Sequence, residues 1–147
     1  MRTSLVALAL LALAGCAAPV VQLYEGATRP PSEQVILRVE QRGRTFANER
    51  VDIETVDGKR TLDIGQEITS GSRGAQAVYM LPGKHTVRAR YRGPGTTAIA
   101  NLWFVGEAGG SYLVKGAQTG EGVKIWIEDE KTGQRIGGVQ GSADEPR

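Results

Sequence analysis

Downstream of residue 34 the chain alternates apolar and polar positions with a period of two. Val35, Leu37 and Val39 alternate with Ile36, Arg38 and Glu40, and Val51, Ile53 and Thr55 alternate with Asp52 and Glu54. Successive side chains of an extended strand point to opposite faces, so this pattern predicts strands with one face on a core. Further strands are predicted at 77–81, 84–91, 98–105, 111–118, 123–128 and 135–139. No window carries the 3.6-residue period of a substantial helix in the mature chain. Turn chemistry falls between the runs, at Asp57-Gly58, Pro82-Gly83, Gly93-Pro94-Gly95, Gly109-Gly110, Gly120-Glu121-Gly122 and Thr132-Gly133. About eight short strands at this spacing predict an all-β fold, a single antiparallel β-sandwich of immunoglobulin-like or transthyretin-like kind over residues 34–141. The less regular stretch 65–74 reads as an exposed loop, and 142–147 as a disordered tail.

One hairpin is worked out in register. If Pro82-Gly83 is a two-residue turn, Met80 stands opposite His85 and Val78 opposite Val87. Val78, Met80, His85, Val87, Ala89 and Tyr91 then share a core-facing side, and Lys84, Thr86, Arg88, Arg90 and Arg92 share the other.

The N-terminal pattern is different in kind. Arg2 precedes an apolar run from Leu5 to Leu13, followed by the small residues Ala14 and Gly15 and then Cys16. This is the order of a secretory signal, residues 1–15. The run falls well short of the roughly 20 apolar residues that a bilayer-spanning helix needs. Residues 16–33 then carry Pro19, Gly26, Pro30 and Pro31 without sustained periodicity, which reads as a flexible tether.

Composition narrows the chemistry. The 147 residues leave room for one folded domain. Eighteen basic residues against 16 acidic ones give a formal charge of +2, and loss of Arg2 with the signal brings the mature chain nearer neutrality. A nucleic-acid partner, which requires a clear basic excess, is therefore not expected. Cys16 is the sole cysteine, so the domain holds no disulfide within the chain and no cysteine metal cluster. No cofactor or metal is expected.

The candidate residues each have a structural and a functional reading. The stripe of Lys84, Arg88, Arg90 and Arg92 suits an oxyanion or an acidic partner, but pairing with Asp52 and Glu54 across a strand would consume it. His85, the only histidine, is the one member available for a triad or histidine metal site; beside Met80 it reads as a core or rim residue. Glu128, Asp129 and Glu130 read as a charged turn before Thr132-Gly133, without calcium-loop spacing. Ser70, Ser72 and Ser111 lack a nucleophile-elbow context. Trp103 lies in an apolar run and reads as buried. Trp126 shares a strand face with Lys124 and Glu128, which makes it a candidate contact residue for a partner or a sugar.

Leu13-Ala14-Gly15-Cys16 resembles the lipobox of bacterial lipoproteins, which implies diacylglycerol on the Cys16 sulfur and cleavage before it. By the same resemblance, Ala17 rather than Asp after the cysteine implies sorting to the outer membrane of a Gram-negative cell. Leu23-Tyr24-Glu25-Gly26 with Arg29-Pro30, Val56-Asp57-Gly58-Lys59, Leu81-Pro82-Gly83-Lys84-His85-Thr86-Val87, the stretch from Ala108 to Tyr112, and Trp126-Ile127-Glu128-Asp129 follow in order. Together they resemble a group of small uncharacterised proteobacterial outer-membrane lipoproteins. That resemblance implies a β-sandwich-like fold and an envelope location, and supplies no catalytic residues. The expectation is a non-enzymatic lipid-anchored protein, its domain facing the periplasm, acting as an interaction or structural accessory module toward an envelope protein. Glycan or peptidoglycan binding through Trp126 is the alternative.

Overall fold

The computed structural model of the chain describes residues 20–40, 49–61 and 77–146. Within them the protein is almost entirely β. The strands are β1 (Val20–Gln22), β2 (Val35–Val39), β3 (Arg50–Val56), β4 (Lys59–Arg60), β5 (Ala77–Met80), β6 (Gly83–Gly93), β7 (Thr96–Gly106), β8 (Ser111–Thr119), β9 (Gly122–Asp129), β10 (Arg135–Ile136) and β11 (Gly138–Val139), with one 3-10 turn at Pro31–Glu33. The first sheet has the order β1-β5-β2-β8-β9-β10 and the second β11-β7-β6-β3-β4.

The two sheets pack as a sandwich. Val35, Leu37, Val78, Met80, Tyr112, Val114 and Ile127 of the first sheet meet Ile53, Val56, Val87, Ala89, Tyr91, Leu102 and Phe104 of the second. Each large side chain in that interior contributes on the order of 1.5–3 kcal/mol by leaving water. With no disulfide available to the domain, this burial is what holds the layers together. The all-β sandwich expected from the alternation is the fold, with more strands than the eight expected and with mixed rather than purely antiparallel sheets. The pairs β1–β5 and β2–β8 run parallel.

Five local expectations are corrected. Pro82-Gly83 does not turn a hairpin: β5 lies in the first sheet beside β1 and β2, while β6 lies in the second beside β3 and β7. The turn carries the chain from one layer to the other. The facing was nevertheless right, since Val78, Met80, His85, Val87, Ala89 and Tyr91 are all buried. Two strands can share one core from opposite sheets. In β3 the alternation breaks, because the register shifts between Ile53 and Thr55. This bulge points Val56 rather than Thr55 inward, and the Thr61 hydroxyl secures it by donating to the Ile53 carbonyl at 2.6 Å.

The stretch 135–139 is two strands, one in each sheet. Gly137 makes the crossing at φ +66, and a Cβ there would land on the Trp103 carbonyl oxygen, so only glycine fits. Nor are 20–33 and 142–146 loose. β1 pairs with β5, Leu23 N–H donates to the Tyr79 carbonyl at 2.9 Å, and Arg29 N–H donates to the Tyr24 hydroxyl at 3.0 Å. The C-terminal segment folds back as a strap over the second sheet. Trp103 Nε1–H donates to the Ser142 hydroxyl at 3.1 Å, and Lys84 Nζ reaches Glu145 at 2.8 Å and the Pro146 carbonyl at 2.6 Å. Backbone groups that find partners in the sheet have no reason to remain solvated as a linker.

Candidate functional site

The residues singled out in the sequence do not converge. Cys16 lies outside the described residues. The basic stripe and Trp126 stand on opposite outer faces of the sandwich, the stripe on β6 of the second sheet and Trp126 on β9 of the first.

On the second sheet, β3 and β7 flank β6. The β3 register sets Asp52 opposite Arg90 and Thr55 opposite Arg88. Glu54, extruded at the bulge, accepts from Arg88 Nε at 3.0 Å and also pairs with Arg90. Asp52, 6% exposed, lies 3.4 Å from Arg50 and 3.9 Å from Arg92. Lys84 is held by Glu145 of the strap, whose carboxyl sits below the usual carboxylate range because of the lysine and the Gly141 N–H. Every member of the stripe thus has a carboxylate partner. The cations nevertheless remain at the surface, Arg88 with 44% and Arg92 with 41% of its side chain exposed.

The other flank of that row is apolar. The β6–β7 register places Ile99 beside Arg90 and Val105 beside Lys84. These two, 45% and 48% exposed, and Val139 on the adjoining β11 are the exposed large hydrophobic residues among those described. Sequence reading missed this feature. The signal was present in the parity of 98–105, which puts Ile99, Asn101, Trp103 and Val105 on one side. It could be used only once Gly93-Pro94-Gly95 was known to fold β7 back onto β6. Trp103 is buried as expected, but on this outer face beneath the strap rather than in the core.

On the first sheet, Trp126 is half-buried and its surroundings are consumed by one another. Its Nε1–H donates to Glu128 at 2.7 Å, and the Arg135 guanidinium lies over the ring at 4.3 Å from the centroid. Lys115, opposite Trp126 in register, bridges Glu128 at 2.9 Å and Glu40 at 3.2 Å. The indole N–H and then the lysine hold the Glu128 carboxyl below its ordinary range, and the hydrogen bonds to Glu128 and Glu40 raise Lys115. Asp129 ends β9 and Glu130 opens the turn that follows. Asp129 Oδ1 accepts the N–H groups of Thr132 at 2.7 Å and Lys131 at 2.9 Å, which lowers its carboxyl. Glu130 pairs with Arg38 at 3.4 Å and accepts from Ser111.

His85 sits in the joint between the sheets, 8% exposed, with its ring 5.6 Å from that of Phe104. Nε2 is 2.7 Å from the Leu81 carbonyl and Nδ1 is 2.7 Å from the Asp57 carboxylate. Both ring nitrogens are thus engaged within the fold, one by a side chain and one by the backbone. The other Asp57 oxygen accepts from Thr86 N–H at 2.8 Å, and Asp57 itself takes φ +50 in the β3–β4 turn. His85 thereby clips that turn to the crossing from β5 to β6. With neither nitrogen free, the ring is equipped to hold structure rather than to shuttle a proton.

Among the described residues no group of His, Cys, Asp and Glu has the geometry of a metal site. An open groove of about 540 Å³ lies between the end of β1 and the β3–β4 turn, lined by Gln22, Leu23, Tyr24, Glu25, Gly58, Lys59 and Arg60. Lys59 Nζ is turned to the Leu23 carbonyl at 3.2 Å across it. No protein-family model, curated protein or solved structure matches the chain.

Proposed function

We propose that this is a lipid-anchored envelope protein of the kind its lipobox and ordered motifs resemble, non-catalytic, with its β-domain acting as an interaction module at the periplasmic face of the outer membrane. Cys16 carries the lipid, and the outer face of the second sheet meets an envelope protein. The observation that carries the second part is the pairing of Ile99 and Val105 with the cationic row of β6. Exposed aliphatic residues rimmed by arginines combine desolvation with charge complementarity, as partner surfaces do. His85, with both nitrogens engaged, supports the non-catalytic reading. The arginine stacked on Trp126 argues against the glycan alternative, because a sugar would have to displace it or use the other ring face.

Photocrosslinking in intact cells tests the assignment. Probes at Ile99, Val105 and Arg88 are expected to give a common adduct that probes at Leu113 and Trp126 do not, and Ile99→Asp should abolish adducts from the neighbouring positions. Adducts confined to the Trp126 face would overturn the choice of surface. A muropeptide captured at Trp126 would restore the glycan reading.

A further inference from the structure

The strand that carries Ile99 uses only half of one edge. β7 pairs with β6 along its whole length, Thr96–Gly106, but on its other side it meets β11 only at Leu102 and Trp103, extended by one hydrogen bond from Gln140 N–H to the Asn101 carbonyl at 2.9 Å. Gly141, at φ +82, then turns the chain out of line, and Ser142 N–H returns to the Val139 carbonyl at 3.1 Å. From Thr96 to Ala100 no described segment pairs with that edge. In an antiparallel strand the N–H and C=O of one residue point to the same edge, and the edge alternates from residue to residue. The Asn101 carbonyl points away from β6, so Thr97 and Ile99 present both of their backbone groups to the open side.

This stretch lacks the devices that keep an open edge from pairing, which are charged side chains, proline and bulges. The open stretch of β3, 50–53, carries Arg50 and Asp52 and runs into the bulge, and that of β9, 122–126, carries Lys124. Thr96-Thr97-Ala98-Ile99-Ala100 has no charge and no proline, and its register with β6 is continuous. Its inward side chains at Ala98 and Ala100 are short. They, with Val123 and Ile125 of β9, are only partly buried on this side of the sandwich. Farther along the same side the chain closes the gap itself: Ile136 of β10 packs against the core, and β11 lies on the β7 edge.

We infer that the partner is held by strand addition: an extended segment of the envelope protein continues the line of β11 along Thr96–Ala100 and hydrogen-bonds to Thr97 and Ile99. This rests on the interaction role proposed above and specifies how the partner is held. The segment is apolar on alternate residues, which face Ala98, Ala100, Val123 and Ile125, and acidic on those between, which fall on the outer face beside Ile99. Arg90 and Arg92, partly exposed, stand opposite Ile99 and Thr97 on β6. Two strand spacings, about 10 Å, separate the added backbone from β6, a gap that a glutamate and an arginine side chain bridge together. A second copy of this chain fits the edge less well, because it would bring its own row of arginines alongside the first.

The experiment places a photocrosslinking side chain at Arg88 of the full chain in intact cells and adds one of two substitutions. Thr97→Pro removes an N–H from the open edge and none from the β6–β7 ladder. Ala98→Glu sets a charge on the inward side, where a partner that merely lay on the outer face would not meet it. Each is expected to cut the adduct several-fold, with urea denaturation showing that the domain still folds, and Ala98→Glu decides alone if Thr97→Pro does not fold. Mass spectrometry of the wild-type adduct should identify an acidic segment with alternating apolar residues. An adduct that persists in either folded variant, or a basic segment, overturns strand addition and leaves the choice of surface standing. An adduct between two copies of this chain overturns the occupant. If the wild type gives no adduct from Arg88, Ile99 or Val105, the surface proposed above falls and strand addition with it.

Discussion

The two outer faces of the sandwich carry similar numbers of charges and use them differently. On the first sheet, Lys115, Glu128, Trp126 and Arg135 close on one another, and the shifted titration of Lys115 and Glu128 records how fully each serves its neighbour. On the second sheet, two carboxylates are shared among four arginines, and the row lies beside exposed Ile99 and Val105. A charge network that satisfies itself makes a solvated wall. A network with exposed cations beside aliphatic groups is the surface that the proposed partner would complete.

The largest expected effect strikes the segment that makes the faces unlike. Gly137→Val forces a side chain into the Trp103 carbonyl at the crossing from β10 to β11, and should cost at least about 3 kcal/mol in urea denaturation. It should also detach the strap and expose the Trp103 indole to aqueous quenchers. An unchanged midpoint would mean that the strap is not held through Gly137. Next comes the joint that belongs to neither face. His85→Ala leaves the Leu81 carbonyl and Asp57 without their ring partner and opens space beside Phe104, for an expected loss of about 2–3 kcal/mol.

Smaller effects distinguish the faces directly. Lys115→Met abandons Glu128 and Glu40 together and should cost about 1 kcal/mol, whereas Arg88→Met, at a half-exposed position with Arg90 still on Glu54, should cost less than about 0.5 kcal/mol. Equal losses would erase the distinction. The smallest is the pH dependence. Glu128 has a folded-state pKa below its unfolded value, so its contribution is present above the ordinary carboxylate range and is lost as pH falls through the lowered value. Lys115 runs the other way: its raised pKa contributes below the ordinary lysine value and is lost as alkaline pH passes the raised one. Stability curves of Glu128→Gln should therefore be flatter than wild type below about pH 4.

These outcomes bear on how much could be read without a fold. Alternation identified the inward residues of β5 and β6 correctly and assigned their neighbours wrongly, because parity is a property of a single strand. Val78 and Val87 point into the same core whether their strands pair or face each other across it. The basic stripe likewise followed from the parity of 84–92, and its carboxylate partners from that of 52–54. The bulge that extrudes Glu54 between Arg88 and Arg90 left no mark in the pattern beyond a polar Thr55 where an apolar residue was due. Ile99 and Val105 were missed because exposure depends on what other segments cover. The strap covers Trp103, four residues from Ile99 and two from Val105, and leaves them open.

What the sequence by itself determined was the set of local facts: extended chain, turn positions, which side of each strand is apolar, and a domain whose own core must be held by packing alone. The tertiary structure decided everything that needs two distant segments to meet. It put the Pro82-Gly83 turn between layers, divided 135–139 at Gly137, placed Trp126 and the arginines on opposite faces, and brought 20–33 and 142–146 into the fold. The physical reason is that burial is blind to connectivity. A strand's apolar side specifies that it must be covered, and only the competition among all segments for the same core specifies by what.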